Sequence, residues 1–194
     1  MIPGFNLANQ LTLSRLFLGP LFLVAFLSKW DFSMEAALFV AILIEASDVA
    51  DGILARSRKQ VSDVGKLLDP MSDSIARLTY YIGFLVMGLA SAWMIVILIY
   101  RDVMIAYVRV FSALTGTAMG RRTSGKWKGI LQGANALVIL ALLIVDRRII
   151  EIPWLNRIIY GLMVFITAYT VFSWIEYLRG NKELLLEIRR RGAA

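Results

Sequence analysis

Residues 34–73 read MEAALFVAILIEASDVADGILARSRKQVSDVGKLLDPMSD, and the placement of acids in this stretch decides how the chain folds. Its first part, 34–54, has the length and apolar character of a helix crossing a membrane, which takes roughly 20 mostly apolar residues. It nevertheless carries Glu45, Asp48 and Asp51, and the return segment carries Asp69 and Asp73. A charge inside a bilayer costs on the order of 2.5 to 3.5 kcal/mol on insertion scales, so each acid needs a reason to be there. If 54–67 brackets a tight turn, the two segments form an antiparallel hairpin. Asp48 and Asp51 stand three apart, Asp69 and Asp73 four apart, so each pair lies on one helical face. Asp48 precedes Arg56 by 8 residues and Asp73 follows Gly65 by 8. At about 1.5 Å of rise per residue, both sit roughly 12 Å from the turn end of their helices. Four carboxylates converging at similar depth repel one another unless protons or cations intervene. One or two divalent cations resolve that repulsion, and an all-oxygen ligand set suits Mg²⁺, Mn²⁺ or Ca²⁺.

The rest of the chain fits this setting. Of 194 residues, 59% are hydrophobic and 18% charged, whereas an ordinary soluble domain is about half apolar and about a quarter charged. A typical water-soluble globule is therefore excluded, and so is a disordered chain. Cysteine and histidine are both absent. That removes disulfide scaffolds, thiolate nucleophiles, His-ligated zinc or haem, and imidazole bases. Acid–base and metal chemistry must run on carboxylates.

Six segments of spanning length follow, at approximately 10–27, 34–54, 67–89, 92–114, 130–145 and 156–178. The expected fold is an all-α integral membrane protein with six transmembrane helices and a short N-terminal interfacial segment over residues 1–9. A single membrane domain, 1–194, accounts for the chain. The opening MIPGFNLANQLTLSR lacks the charged leader and small-residue cleavage site of a signal peptide, so the chain is read as mature throughout. Cations distribute unevenly. One side has Arg56, Arg58, Lys59, Lys66, Arg121, Arg122, Lys126, Lys128, Arg179, Lys182 and Arg189 to Arg191; the other has Lys29, Arg147, Arg148 and Arg157. Thirteen against four places both termini in the cytoplasm by the positive-inside rule. The net charge of +7 then reflects topology, with no nucleic-acid partner implied.

Several of these residues have plainer readings as well. Asp69 before Pro70 fits a helix N-cap. Gly52, Ala55 and Gly65 suit close helix packing, or the approach of a bulky ligand to the backbone. Arg56 is either a loop cation or a phosphate clamp.

Together the residues spell Asp48-x-x-Asp51-Gly52-x-x-Ala55-Arg56, eight residues, Gly65, three residues, Asp69, three residues, Asp73. This resembles the signature of the CDP-alcohol phosphotransferase family at all eight fixed positions. The resemblance implies transfer of a phosphatidyl or substituted phosphoryl group from a CDP-linked donor to an alcohol, with release of CMP. It implies that Asp48, Asp51 and Asp69 ligate Mg²⁺ or Mn²⁺, with two ions expected and Asp73 near the second. Gly52, Ala55, Arg56 and Gly65 would line the nucleotide pocket together with Asp48, Asp51 and Asp69. Asp73 would be the general base for the acceptor hydroxyl. A homodimer in the bacterial cytoplasmic membrane is also implied. The chemistry is consistent with these roles: displacement at a pyrophosphate needs cations for the departing charge, and an alcohol needs a base to accept its proton.

Three further features resemble the branch of that family that uses CDP-diacylglycerol and glycerol 3-phosphate. They are Ala8-Asn9-Gln10-Leu11-Thr12-Leu13-Ser14-Arg15, the pair Arg101-Asp102 followed by Arg109, and Gly125-Lys126-Trp127-Lys128 with Gln132. Ser74 and Gly129 depart from it, where Lys and Thr are usual. An anionic acceptor needs arginines and lysines, and Arg109, Arg121, Arg122 and Lys126 are the candidates for its phosphate. That cationic stretch also serves topology alone, Arg101-Asp102 also reads as a self-neutralised pair, and Arg77 can pair with Asp73. Asn9, Thr12 and Arg15 either contact the donor headgroup or cap and anchor the first helix. Other acceptors or donors stay open: inositol phosphate, serine, or diacylglycerol with a CDP-aminoalcohol. From a different class, an ion-coupled membrane transporter also places carboxylates in a membrane, although its usual repeat-related second copy is not seen in residues 100–194.

Overall fold

The computed structural model describes the backbone of residues 7–57, 63–115 and 123–182, and the side chains of 10–50, 70–112 and 124–182. Six helices follow in order: α1 (Leu7–Leu27), α2 (Ser33–Ser57), α3 (Asp63–Val86), α4 (Ala92–Thr115), α5 (Thr123–Arg148) and α6 (Leu155–Gly180). No strand occurs among the described residues. Three stretches, Gln10–Leu27, Ser124–Arg148 and Leu155–Gly180, are long and apolar enough to cross a membrane. The other three helices interrupt their apolar runs with charge: α2 with Glu45, Asp48 and Asp51, α3 with Asp69, Asp73 and Arg77, and α4 with Arg101, Asp102 and Arg109. Phe17, Val24, Phe39, Tyr107, Phe165 and Phe172 all point outward, as expected for helices whose outer surface meets lipid rather than water. The protein is an all-helical membrane protein.

Two boundaries depart from the hydropathy pattern. Helix α5 starts at Thr123 rather than near residue 130, so Lys126 and Lys128 are not loop cations. Lys128 is buried against α4, where its charge is paired, and a neutralised lysine does not end a helix. Helix α3 runs unbroken through Asp69 and Pro70 from Asp63, so Asp69 is not an N-cap. Pro70 simply forgoes the bond its missing N–H would have made. The other end of α3 is closed by Gly88, whose φ of 74° places it in the left-handed region. Gly88 N–H donates to the Leu85 carbonyl at 3.0 Å and Leu89 N–H to the Phe84 carbonyl at 2.8 Å. This pair of bonds is the Schellman closure, which a glycine adopts without Cβ strain.

Helix α1 lies across both α2 and α3, while α5 packs on α6 and on α2. Each helix presents residues three or four apart to the interior, the spacing of a single face. On α1 these are Thr12, Arg15, Phe22 and Phe26; on α2, Ala37, Ala41 and Ile44; on α3, Ala76, Tyr80 and Phe84. The Phe22 ring meets Tyr80 edge-on at 4.9 Å and Phe26 meets Phe84 at 5.6 Å, geometries that favour aromatic pairs beyond their burial. One continuous core draws on all six helices. Followed toward the end of α2 and the start of α3, the same stripes pass from apolar to charged: Ile44 leads to Asp48, and Tyr80 leads back to Arg77 and Asp73. At the opposite end Asp31 and Glu35 pair with Arg147 and Arg148 at 2.6 to 3.1 Å, tying the α1–α2 connection to the end of α5.

Candidate active site

Asp48 and Asp73, expected from sequence to face one another, are brought together because α2 and α3 both pack against α1. A single nitrogen, Arg15 Nη1, lies 2.7 Å from Asp48 Oδ1 and 2.7 Å from Asp73 Oδ1. The two carboxylates therefore converge closely enough to share one cation. The Arg15 side chain is fully buried, and a buried guanidinium is tolerable only when carboxylates neutralise it. Sequence reading left Arg15 between a headgroup contact and a capping role. The signal that identifies its place is positional: it occupies the same α1 stripe as Thr12, Phe22 and Phe26, so its charge must enter the core.

A second arginine supports the pair from α3. Arg77 Nη2 donates to Asp48 Oδ2 at 2.8 Å, and Arg77 Nη1 lies 3.8 Å from Asp73 Oδ2. Its Nε lies 3.9 Å from Glu45 Oε1, which also accepts the Tyr80 hydroxyl at 3.3 Å. The expected Arg77–Asp73 pairing is thus present but is the longer of two, with Asp48 the nearer partner. Helix α5 leaves room for this group. A Cβ on Gly129 would stand 3.3 Å from Arg77 Nη1, and a Cβ on Gly133 would collide with the Glu45 carboxylate.

Helices α4, α5 and α6 meet at a separate buried polar cluster. Arg101 Nη1 donates to Asp102 at 2.9 Å, and Lys128 Nζ donates to both Asp102 oxygens at 2.7 and 2.9 Å. Arg101 Nη2 donates to Ser173 Oγ at 3.2 Å. The Arg101-Asp102 pair is therefore not self-sufficient; it recruits Lys128 from the Gly125–Lys128 run.

Of the residues proposed for an acceptor phosphate, Arg109 is exposed on α4 and hydrogen-bonds Tyr177 of α6, while Lys126 is exposed on the first turns of α5. Both stand outside the Arg15–Asp48–Asp73 contacts. Arg121 and Arg122 lie outside the described residues, as do the side chains of Asp51, Gly52, Ala55, Arg56, Gly65 and Asp69. No group of three or more metal-donor residues gathers among the described residues. The donor chemistry does fit a hard divalent cation: two carboxylates converge on one point, in a chain with neither the imidazole nor the thiolate that favours a softer metal.

Comparison with known proteins bears on the same region. A Bacillus subtilis (strain 168) protein named CDP-diacylglycerol–glycerol-3-phosphate 3-phosphatidyltransferase is 29% identical over 195 residues, spanning 93% of this chain and 97% of its own. Proteins of the same name from Pseudomonas fluorescens and Shigella flexneri serotype 5b (strain 8401) are 26% and 28% identical. They cover 93% and 94% of this chain and 97% and 98% of their own. Residues 5–174, which include α1 to α5 and most of α6, match the CDP-alcohol phosphatidyltransferase family. Carboxylates on the spacing noted in the sequence belong here to a transferase rather than to an ion-coupled transporter: the chain is a member of the CDP-alcohol phosphatidyltransferase family.

Proposed function

We propose that this protein transfers the phosphatidyl group of CDP-diacylglycerol to the hydroxyl of glycerol 3-phosphate, releasing CMP and forming phosphatidylglycerophosphate. The observation that carries the proposal is the convergence of Asp48 and Asp73 on Arg15, in a family member whose relatives are named for that reaction. Asp73 is the general base. It accepts the acceptor hydroxyl proton as the new P–O bond forms and the bond from phosphorus to CMP breaks. Arg15 and Arg77 hold the Asp73 and Asp48 carboxylates in place. Gly52, Ala55, Arg56 and Gly65 line the nucleotide pocket together with the acids of the hairpin. Asp48, Asp51, Asp69 and Asp73 hold Mg²⁺ or Mn²⁺, whose charge, when bound, neutralises the pyrophosphate and the departing CMP. Arg109, Arg121, Arg122 and Lys126 receive the acceptor phosphate through charge-assisted hydrogen bonds.

All six helices cross the bilayer as a single domain in this proposal, with Asp48, Asp73 and Arg77 paired between α2 and α3 and Arg101 and Asp102 of α4 paired with Lys128 of α5. The charge asymmetry of the loops puts the α2–α3 turn and both termini in the cytoplasm of a bacterial cell. There the diacylglycerol tails remain in lipid while CDP and the acceptor remain in water. The functional unit is a homodimer.

Asp73→Asn tests the assignment, since it keeps the volume but cannot accept a proton at neutral pH. CMP release should fall by roughly 10² to 10⁴ while CDP-diacylglycerol still binds. A variant retaining most of the wild-type rate would remove Asp73 as the base. Loss of donor binding would make it a ligand instead.

A further inference from the structure

Arg77 has so far only held the two acids, and Glu45 takes no part in the chemistry described. Their geometry is specific. One guanidinium faces three carboxylates on two helices, with Asp48 Oδ2 at 2.8 Å, Asp73 Oδ2 at 3.8 Å and Glu45 Oε1 at 3.9 Å. Glu45 is held in turn by the Tyr80 hydroxyl at 3.3 Å, and Tyr80 is fully buried. Two glycines one helical turn apart on α5, Gly129 and Gly133, supply the space. A side chain at either position would press on Arg77 or displace Glu45. Charge balance calls for a second cation here, because Arg15 brings one positive charge to Asp48 and Asp73 together, but it does not call for one held in a fixed orientation by Glu45 and Tyr80. What Arg77 adds is a hydrogen bond to the far oxygen of Asp48 at 2.8 Å and an ion pair with the far oxygen of Asp73 at 3.8 Å, from a direction other than that of Arg15. An arginine fork constrains orientation as well as charge.

We propose that Arg77, steered by Glu45 and Tyr80, is a positioning residue for this reaction: it fixes the rotation of the Asp73 and Asp48 carboxylates so that Asp73 meets the acceptor hydroxyl at a productive angle. The inference rests on Asp73 being the base. It also gives the Ser74 position a physical reading. A cation adjoining the last acid is dispensable when one arrives a turn later on α3 and reaches both acids. A misplacement of a reacting group by about 1 Å costs on the order of 10²-fold in rate, and that is the scale of effect expected.

The test measures kcat, KM for CDP-diacylglycerol and apparent unfolding temperature for Arg77→Gln, Arg77→Lys, Glu45→Gln and the double variant Arg77→Gln/Glu45→Gln, with Mg²⁺ present. Arg77→Gln should lose about tenfold to a hundredfold in kcat with KM within about threefold. Arg77→Lys, which keeps charge but not the fork, should recover only part of that and serves alone if the Gln variant fails to fold. The double variant removes one positive and one negative charge together, so it should regain thermal stability without regaining kcat. Restoration of kcat in the double variant would overturn the proposal and leave Arg77 as a counter-ion for Glu45. Wild-type kcat in Arg77→Gln, or a loss confined to KM, would overturn it too. Asp73→Asn separates the two layers. If that variant is inactive while Arg77→Gln is normal, only the positioning role fails; if Asp73→Asn is active, the base assignment beneath it has failed.

Discussion

Asp102→Asn should destabilise the fold far more than its size suggests. The Asp102 carboxylate receives Lys128 at 2.7 and 2.9 Å and Arg101 at 2.9 Å, with the three side chains 5 to 8% exposed. Asparagine preserves shape and one acceptor oxygen, so packing is not at issue. What is lost is the negative charge between two buried cations. Removing one partner of a buried ion pair costs about 3–5 kcal/mol, because the remaining charge is left uncompensated. For a chain of this size about 1 kcal/mol moves the unfolding midpoint by roughly 2–4 °C, so a fall of roughly 6–20 °C is expected. The measurement is the apparent unfolding temperature in one detergent at one scan rate, since membrane-protein unfolding is commonly irreversible and rate-dependent. Lys128→Met leaves a one-to-one Arg101–Asp102 pair and should lose less. The double variant Asp102→Asn/Lys128→Met should recover part of the Asp102→Asn loss, because it leaves one buried cation rather than two. A midpoint for Asp102→Asn within about 2 °C of wild type would refute the reasoning. It would mean that water or neighbouring dipoles already neutralise Arg101 and Lys128.

Chelation with excess EDTA should abolish CMP release and Mg²⁺ or Mn²⁺ should restore it, as carboxylate-only ligation demands; full turnover in EDTA would contradict the metal assignment. Arg109→Ala and Lys126→Ala should raise KM for glycerol 3-phosphate with donor KM little changed, through loss of charge-assisted contacts. Unchanged acceptor kinetics in both would return these cations to topology alone. At the opposite end, the Arg148 hydrogen bond, together with the charges of Arg148 and Arg147, holds the exposed Asp31 carboxyl below its ordinary range. A depressed folded-state pKa stabilises above the unfolded value near 4 and fades as pH falls through the folded one. Acidification below about pH 4 should therefore lower the unfolding temperature of wild type slightly more steeply than that of Arg148→Ala, and parallel curves would argue against the pairing.

The sequence by itself determined the number and order of the helices, the faces on which their acids lie, and the common depth at which Asp48 and Asp73 stand. Each follows from short-range rules: the length of apolar runs, the 3.6-residue period that puts i and i+4 on one face, and equal counts back from a turn. The restriction to carboxylate chemistry was equally legible, because the absence of Cys and His is a property of composition. What only the tertiary structure decided is how charge is shared between helices. Arg15 stands 33 positions from Asp48, and Lys128 stands 26 from Asp102. Nothing local in a sequence says that two such residues will neutralise each other. The misplaced start of α5 has the same origin. A hydropathy window counts Lys128 as a polar residue that should face water, whereas in the folded chain its charge is spent on Asp102 and the helix continues through it. Gly129, which the sequence shows only as a departure from the usual Thr, and Gly133 gain a purpose once Arg77 and Glu45 from two other helices stand against them. Local periodicity specifies which face of a helix turns inward; only the packing of one inward face against another specifies which charges meet there.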